Sequence, residues 1–160
     1  MLEINNATMG DYGAIVAIEM MGVRLQAGTP EVIQDRIAKQ NDTFLVARDD
    51  QRVVGLIVGA VSKDEFIHDA MYKQAAANEA TGGHQLVLGI AQAANYGDQE
   101  LSAKLLAALE KVARAAHRET MSLLSLEKDI PFYEKNGFQR AGVSDVKHGG
   151  NTWYNMVKKL

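Results

Sequence analysis

An α+β domain is the fold class this sequence predicts, and three observations carry the prediction. About seven short apolar segments read as strands, and about four stretches place apolar residues at helical spacing. The two kinds are mixed along the chain, with Gly, Asn, Asp and Pro at the joints between them. At 160 residues the chain can bury one substantial core and is short for two, so residues 1–160 are expected to form a single domain.

The first strand is expected at Leu2 to Asn5, followed by Asn6-Ala7-Thr8 as a helix cap. Asp11 lies three residues beyond Thr8, the spacing of a capping box with Asp in place of Glu, and Ile15, Ile18 and Met21 or Gly22 continue at helical period. Thr29-Pro30-Glu31 starts a second helix, with Thr29 as cap, Pro30 in the first turn, and Val32, Ile33, Arg36 and Ile37 following. Thr43–Ala47 and Val53–Gly59 read as a hairpin around Arg48-Asp49-Asp50-Gln51. Residues 64–78 hold no proline or glycine, and the run Ala75-Ala76-Ala77 favours helix there. Gly82-Gly83 breaks it. His84–Ile90 is then a strand, Leu101–His117 a long amphipathic helix and Met121–Leu126 a strand. Pro131 suits the first turn of a short helix, and Gly137 supplies its left-handed cap. Gly137–Val143 and Asn151–Val157 close the chain as strands around the turn His148-Gly149-Gly150. There is no internal repeat.

Composition narrows the function classes. A net charge of -3 without a basic stripe speaks against nucleic acid as a general partner. Cysteine is absent, which excludes disulfides, cysteine nucleophiles and thiolate metal sites. The four histidines show no paired ligand spacing, so no metal site is predicted. No apolar run reaches the roughly 18 residues a membrane-spanning helix needs. Met1-Leu2-Glu3-Ile4-Asn5-Asn6 lacks the charged-then-apolar layout of a secretion signal, and a cytoplasmic location is expected.

The most informative stretch is Ile130-Pro131-Phe132-Tyr133-Glu134-Lys135-Asn136-Gly137-Phe138. On spacing alone its aromatics read equally as core residues. The run resembles the signature of the GCN5-related N-acetyltransferase (GNAT) family, whose members move an acetyl group from acetyl-coenzyme A to an amine. The element order β-α-α-β-β, a connecting segment, then β-α-β-α-β-β, is similar to that family along nearly the whole chain. Asp42–Ala47 with Val53–Leu56 resembles its second and third strands, Leu88–Ala91 the start of its cofactor-bearing fourth strand, and Trp153–Met156 its last. More narrowly, Ile18-Glu19, Asp69–Tyr72, Pro131–Tyr133 and His148–Gly150 together resemble the bacterial relatives of arylalkylamine N-acetyltransferase. The resemblance implies a mixed, mostly antiparallel central sheet, acetyl-CoA as cofactor, a small amine as acceptor and, by analogy, a homodimer paired through the terminal strands.

The cofactor loop departs from the family pattern, which runs Gln or Arg, two residues, Gly, one residue, then Gly or Ala. There glycine lets backbone N–H groups approach the pyrophosphate, and the helix N-terminus adds its positive end. Aligning Tyr96 with the aromatic residue before that motif places Gly97, Asp98, Gln99, Glu100, Leu101 and Ser102 over it. Gly97 stands where Gln or Arg is expected and Glu100 where glycine is. Two carboxylates within about 5 Å of a pyrophosphate would each oppose binding by up to about 3 kcal/mol before screening. Acidic residues at a helix start also stabilise the helix itself, which gives Asp98 and Glu100 a purely structural reading.

Acetyl transfer by direct attack needs a neutral amine, a donor for the developing oxyanion, and an acid for the departing thiolate. By resemblance Tyr133 is that acid. Ile90, Ala91 and Gln92 lie on the cofactor-binding strand, Gln92 where an aliphatic residue is usual. For the base, Glu19 on the first helix is the leading candidate, with a solvated helix face as its bland alternative. His84 and His148 are others, each read first as a surface residue. Leu86 and Leu88 stand where the vertebrate arylalkylamine enzymes carry histidines, so no base transfers from them. Two functions follow: an active N-acetyltransferase of a small amine, or a degenerate member of the fold that binds or assembles with weak or no acetyl-CoA binding.

Overall fold

The computed structural model describes residues 1–20, 29–93, 96 and 99–160, without the side chain of Met20. Seven strands make one sheet: β1 (Leu2–Asn6), β2 (Phe44–Asp49), β3 (Arg52–Ser62), β4 (His84–Gln92), β5 (Thr120–Ser125), β6 (Gln139–Val143) and β7 (Tyr154–Lys159). Their spatial order is β1-β2-β3-β4-β5-β7-β6. Every neighbouring pair is antiparallel except β4 and β5. Among the described residues four α-helices flank it: α1 (Tyr12–Met20), α2 (Pro30–Lys39), α3 (Gln99–Ala115) and α4 (Ile130–Lys135). The mixed, mostly antiparallel α+β sheet is as expected.

Sequence punctuation acts as its chemistry requires. The Thr8 backbone N–H donates to Asp11 Oδ2 at 2.9 Å, closing the capping box before α1. Arg48 on β2 then clamps the same carboxylate with two hydrogen bonds of 2.6 Å, tying the start of α1 to the sheet. The β2–β3 turn places Asp50 and Gln51 at φ 49° and 72°, the left-handed pair of a tight hairpin.

Alternation divides the strand residues between two cores. On one face Phe44, Val46, Leu56, Leu86 and Leu88 pack with Ile15 and Ile18 of α1 and Ile33 and Ile37 of α2. On the other, Leu45, Ile57, Val87 and Met121 pack with Leu101, Leu105 and Leu109 of α3. Both faces are covered, which explains why β2 to β4 read as near-continuous apolar runs rather than alternating ones.

The expected helix at 64–78 is replaced by irregular chain with one 3-10 turn at Asp69–Tyr72. Its alanines favour helix, but tertiary bonds dictate the path. The Gln40 amide takes the Ala76 carbonyl at 2.7 Å, and Asn78 Oδ1 accepts the Val61 N–H at 3.0 Å. Strands β6 and β7 begin later than expected. Gly137 and Phe138 are spent closing α4, while Trp153 gives its carbonyl to the Ser144 N–H at 2.8 Å before β7 starts.

Candidate active site

The site begins where β4 and β5 part. Their parallel pairing covers only Gln85–Val87 against Met121–Leu123. Beyond it, β4 stays paired with β3 as far as Gln92, and β5 stays paired with β7 as far as Ser125. The parting coincides with a bulge: Val58 faces Gly89 while Gly59 faces Val87, leaving Leu88 as an extra residue on β4. Such a bulge bends and twists its strand away from its neighbour. Gly59 permits it, since a Cβ there would sit 2.7 Å from the Thr43 carbonyl and 2.6 Å from the Gln85 amide. Between Leu88 and Gln92, alternate residues of β4 turn their N–H and C=O groups into the gap.

The gap is a cleft of about 300 Å³. Gly89, Ile90 and Gln92 form its β4 wall, Gln99 and Ser102 its α3 end, Leu124, Leu126 and Trp153 its opposite wall, and Phe132 with Tyr133 project from α4. Tyr133 is held by local sequence. Gly137, at φ 96°, sends its N–H to the Glu134 carbonyl, and the Phe138 N–H returns to the Tyr133 carbonyl, each at 3.1 Å. These two bonds are the Schellman closure that the glycine predicted. Phe132 and Phe138 meet the Tyr133 ring edge-on, with centroids 5.1 and 6.2 Å away, and fix its direction.

At the α3 end, Gln92 Nε2 donates to Ser102 Oγ at 2.5 Å, joining the last residue of β4 to the first turn of α3. Gln92 therefore has a use that an aliphatic side chain would not. Glu100 is exposed, pairs with Lys104 at 3.3 Å, and is not among the residues lining the cleft. Leu101 is buried in the α3 core and contributes packing. Gly97 and Asp98 lie outside the described residues. The Tyr96 hydroxyl donates to Asp49, whose carboxyl is held below its ordinary range first by that bond and then by the Met1 ammonium. Tyr96 is thereby anchored to the β2–β3 hairpin.

The base candidates are dispersed. Glu19 is buried, acts electrostatically on Arg36 of α2, and is not among the cleft-lining residues. His84 sits at the far end of β4 from the gap, its Nδ1 2.7 Å from Thr120 Oγ1. His148 is exposed, with its ring centroid 6.4 Å from that of Tyr72 and its carbonyl accepting the Trp153 indole N–H at 2.9 Å. Asp69–Tyr72 and His148–Gly150, far apart in sequence, thus meet beside the cleft. Lys128, Asp129 and Trp153 also line it and were missed in the sequence. The signal available for Lys128 and Asp129 was position alone, just past the free end of β5. Among the described residues no group of three His, Asp or Glu side chains is placed to hold a metal.

Two strands parting over a cleft, with a helix start at one end and a locked tyrosine on the wall, are the features to set beside known folds. Residues 40–140 match the family model described as Acetyltransferase (GNAT) domain, and the chain belongs to the GNAT family. Ard1 from Thermoplasma volcanium superposes with a TM-score of 0.76 at 18% identity, covering 99% of this chain and 97% of the other. Naa50 from Arabidopsis thaliana, solved with the bisubstrate analogue CoA-Ac-MVNAL, gives 0.75 at 14% identity and 99% of both chains. A ribosomal-protein-alanine N-acetyltransferase from Brucella melitensis gives 0.73 at 18% identity, again over 99% of both. No curated protein matches the chain in sequence. At these identities the superpositions establish the fold, and acetyl-CoA is the cofactor of the family. The residues present are compatible with it: Gly89, Ile90 and Gln92 line the cleft where β4 has left β5, and Gln92, Gln99 and Ser102 bring polar side chains to it.

Proposed function

We propose that this protein is a cytoplasmic N-acetyltransferase that moves the acetyl group of acetyl-CoA to a small amine by direct attack. The observation that carries this reading is Tyr133, locked on α4 and lining the same cleft as Gly89, Ile90 and Gln92 of β4, past the residues at which β4 pairs with β5. Acetyl-CoA supplies an activated thioester. Backbone N–H groups among Ile90, Ala91 and Gln92 polarise its carbonyl as negative charge develops on oxygen. The Tyr133 hydroxyl holds the proton that the departing sulfur needs. Leu124, Leu126 and Trp153 keep water from the reacting carbon. Gln99, Ser102 and the first N–H groups of α3 receive the phosphates. Glu19, the base candidate on α1, does not line the cleft and would need a water path to reach it, whereas its burial beside Arg36 suits a role in holding α1 against α2.

The alternative, a degenerate binding or assembly protein, is favoured by the carboxylates at 98 and 100 in the cofactor loop. The pairing of Glu100 with Lys104 weighs against it, since that carboxylate is already compensated and lies outside the cleft. The deciding experiment incubates the protein with acetyl-CoA and a panel of amines, reading acetylated product by mass spectrometry. Peptides belong in the panel because the Naa50 structure holds a peptide-bearing analogue. Acetylation of at least one small amine is expected. Product only on peptide N-termini would replace the acceptor class, and no product on any acceptor would leave the degenerate reading.

A further inference from the structure

Residues 63–83 carry one 3-10 turn and no strand, yet they place Ile67 and Tyr72 in the core, 1% and 9% exposed. What shapes this stretch comes from α2. Arg36, wholly buried, sends Nη2 to the Met71 carbonyl at 2.6 Å and Nη1 to Gln40 Oε1 at 3.0 Å. Gln40 carries the line on to the Ala76 carbonyl at 2.7 Å. Burial of a guanidinium is unfavourable, and here it pushes Arg36 down to about 10 against the opposing pull of Tyr72 and Glu19. An apolar side chain would fill the space without that penalty. It would leave the partly buried Met71 carbonyl, in a stretch without a strand ladder, without the donor that the guanidinium supplies.

The turn fixed in this way has a route to the cleft. Tyr72 follows Met71, and its ring faces that of His148 at 6.4 Å. The His148 carbonyl receives the indole N–H of Trp153, and Trp153 lines the cleft. We propose that Arg36 and Gln40 are positioning residues for the acceptor side of the cleft. They hold residues 69–78 as a wall that, through Tyr72 and His148, sets the indole of Trp153. The acceptor role rests on the acetyl-transfer reading, whereas the mechanical link does not.

The test uses the full chain with Arg36→Met and, separately, Gln40→Leu, followed by amide hydrogen exchange and by acrylamide quenching of Trp153, the one tryptophan present. Arg36→Met should speed exchange in residues 69–78 by about tenfold or more, with β4 and α3 changed less than about twofold. Quenching of Trp153 should rise with it, and Arg36→Lys should restore part of both. Gln40→Leu should speed exchange near residue 76 and, to a lesser degree, at residues 69–72, because Gln40 Oε1 also holds Arg36 Nη1; with Trp153 quenching it decides the matter if Arg36→Met does not fold. Unchanged exchange in 69–78, or an equal rise in α3 and β4, overturns the proposal. Faster exchange with Trp153 unmoved overturns the link to the cleft. None of these readings requires turnover, so an inactive protein leaves them interpretable.

Discussion

The two faces of the sheet are built by different means. On the α3 face, a long amphipathic helix lays Leu101, Leu105 and Leu109 onto Leu45, Ile57 and Val87, and regular elements account for nearly everything. On the α1–α2 face, helices share the space with the irregular chain of residues 63–83, held by buried polar side chains. The cleft opens between strands that both cores support. Its α3 end adjoins the periodic face, while the side around Trp153 depends on individual hydrogen bonds.

The contrast can be broken at several points. The largest effect is expected at the cleft itself. Tyr133→Phe removes the proton donor while leaving the ring contacts with Phe132 and Phe138, and should lower kcat by about 100-fold or more with acetyl-CoA affinity kept. Steady-state kinetics with calorimetric binding separates the two. Equal turnover would remove Tyr133 from the acid role.

Next comes the periodic face. Leu105→Ala empties a fully buried position and should destabilise the whole domain by about 3 kcal/mol in urea unfolding, with one cooperative transition. A loss under about 1 kcal/mol would mean that the face is less closely packed than described.

A smaller effect is expected at the polar staple beneath α1. The Arg48 guanidinium holds the Asp11 carboxyl below its ordinary range. The folded value lies below the unfolded one, so the contribution is full above the usual carboxylate range and is lost as pH falls through the lowered folded value. Asp11→Asn should lower stability by about 1–2 kcal/mol at neutral pH, and the gap to wild type should close in acid. A gap independent of pH would show that the charge is not what matters.

The smallest effect is at the cofactor loop. Because Glu100 pairs with Lys104 in solvent, Glu100→Gly should change acetyl-CoA affinity by less than about threefold. Tenfold tighter binding would mean that the carboxylate turns toward the phosphates.

Most of the fold was legible because its signals are local. The Thr8–Asp11 box, the Pro131 to Gly137 helix and the Asp50-Gln51 turn each state their geometry within a few residues. Residues 64–78 were misread because alanine propensity is local, whereas the bonds from Gln40 and to Val61 join segments distant in sequence. Of the site, Tyr133, Ile90, Gln92, Gln99 and Ser102 were legible through the family resemblance, and all line the cleft. Lys128, Asp129 and Trp153 were not, since their place depends on where β4 and β5 part, and no motif marks a divergence between strands. The position of Glu19 on a helix does not reveal its burial beside Arg36, which depends on how α1 packs against α2.

Acetyl-CoA binding to the unaltered protein tests the central claim most directly. Calorimetric titration, checked by thermal melting, should show one site, and cofactor at one hundred times its Kd should add about 2.7 kcal/mol of stability and raise Tm by several degrees. No heat of binding and no shift at millimolar acetyl-CoA would contradict the account, leaving an acetyltransferase fold whose cleft no longer takes its cofactor.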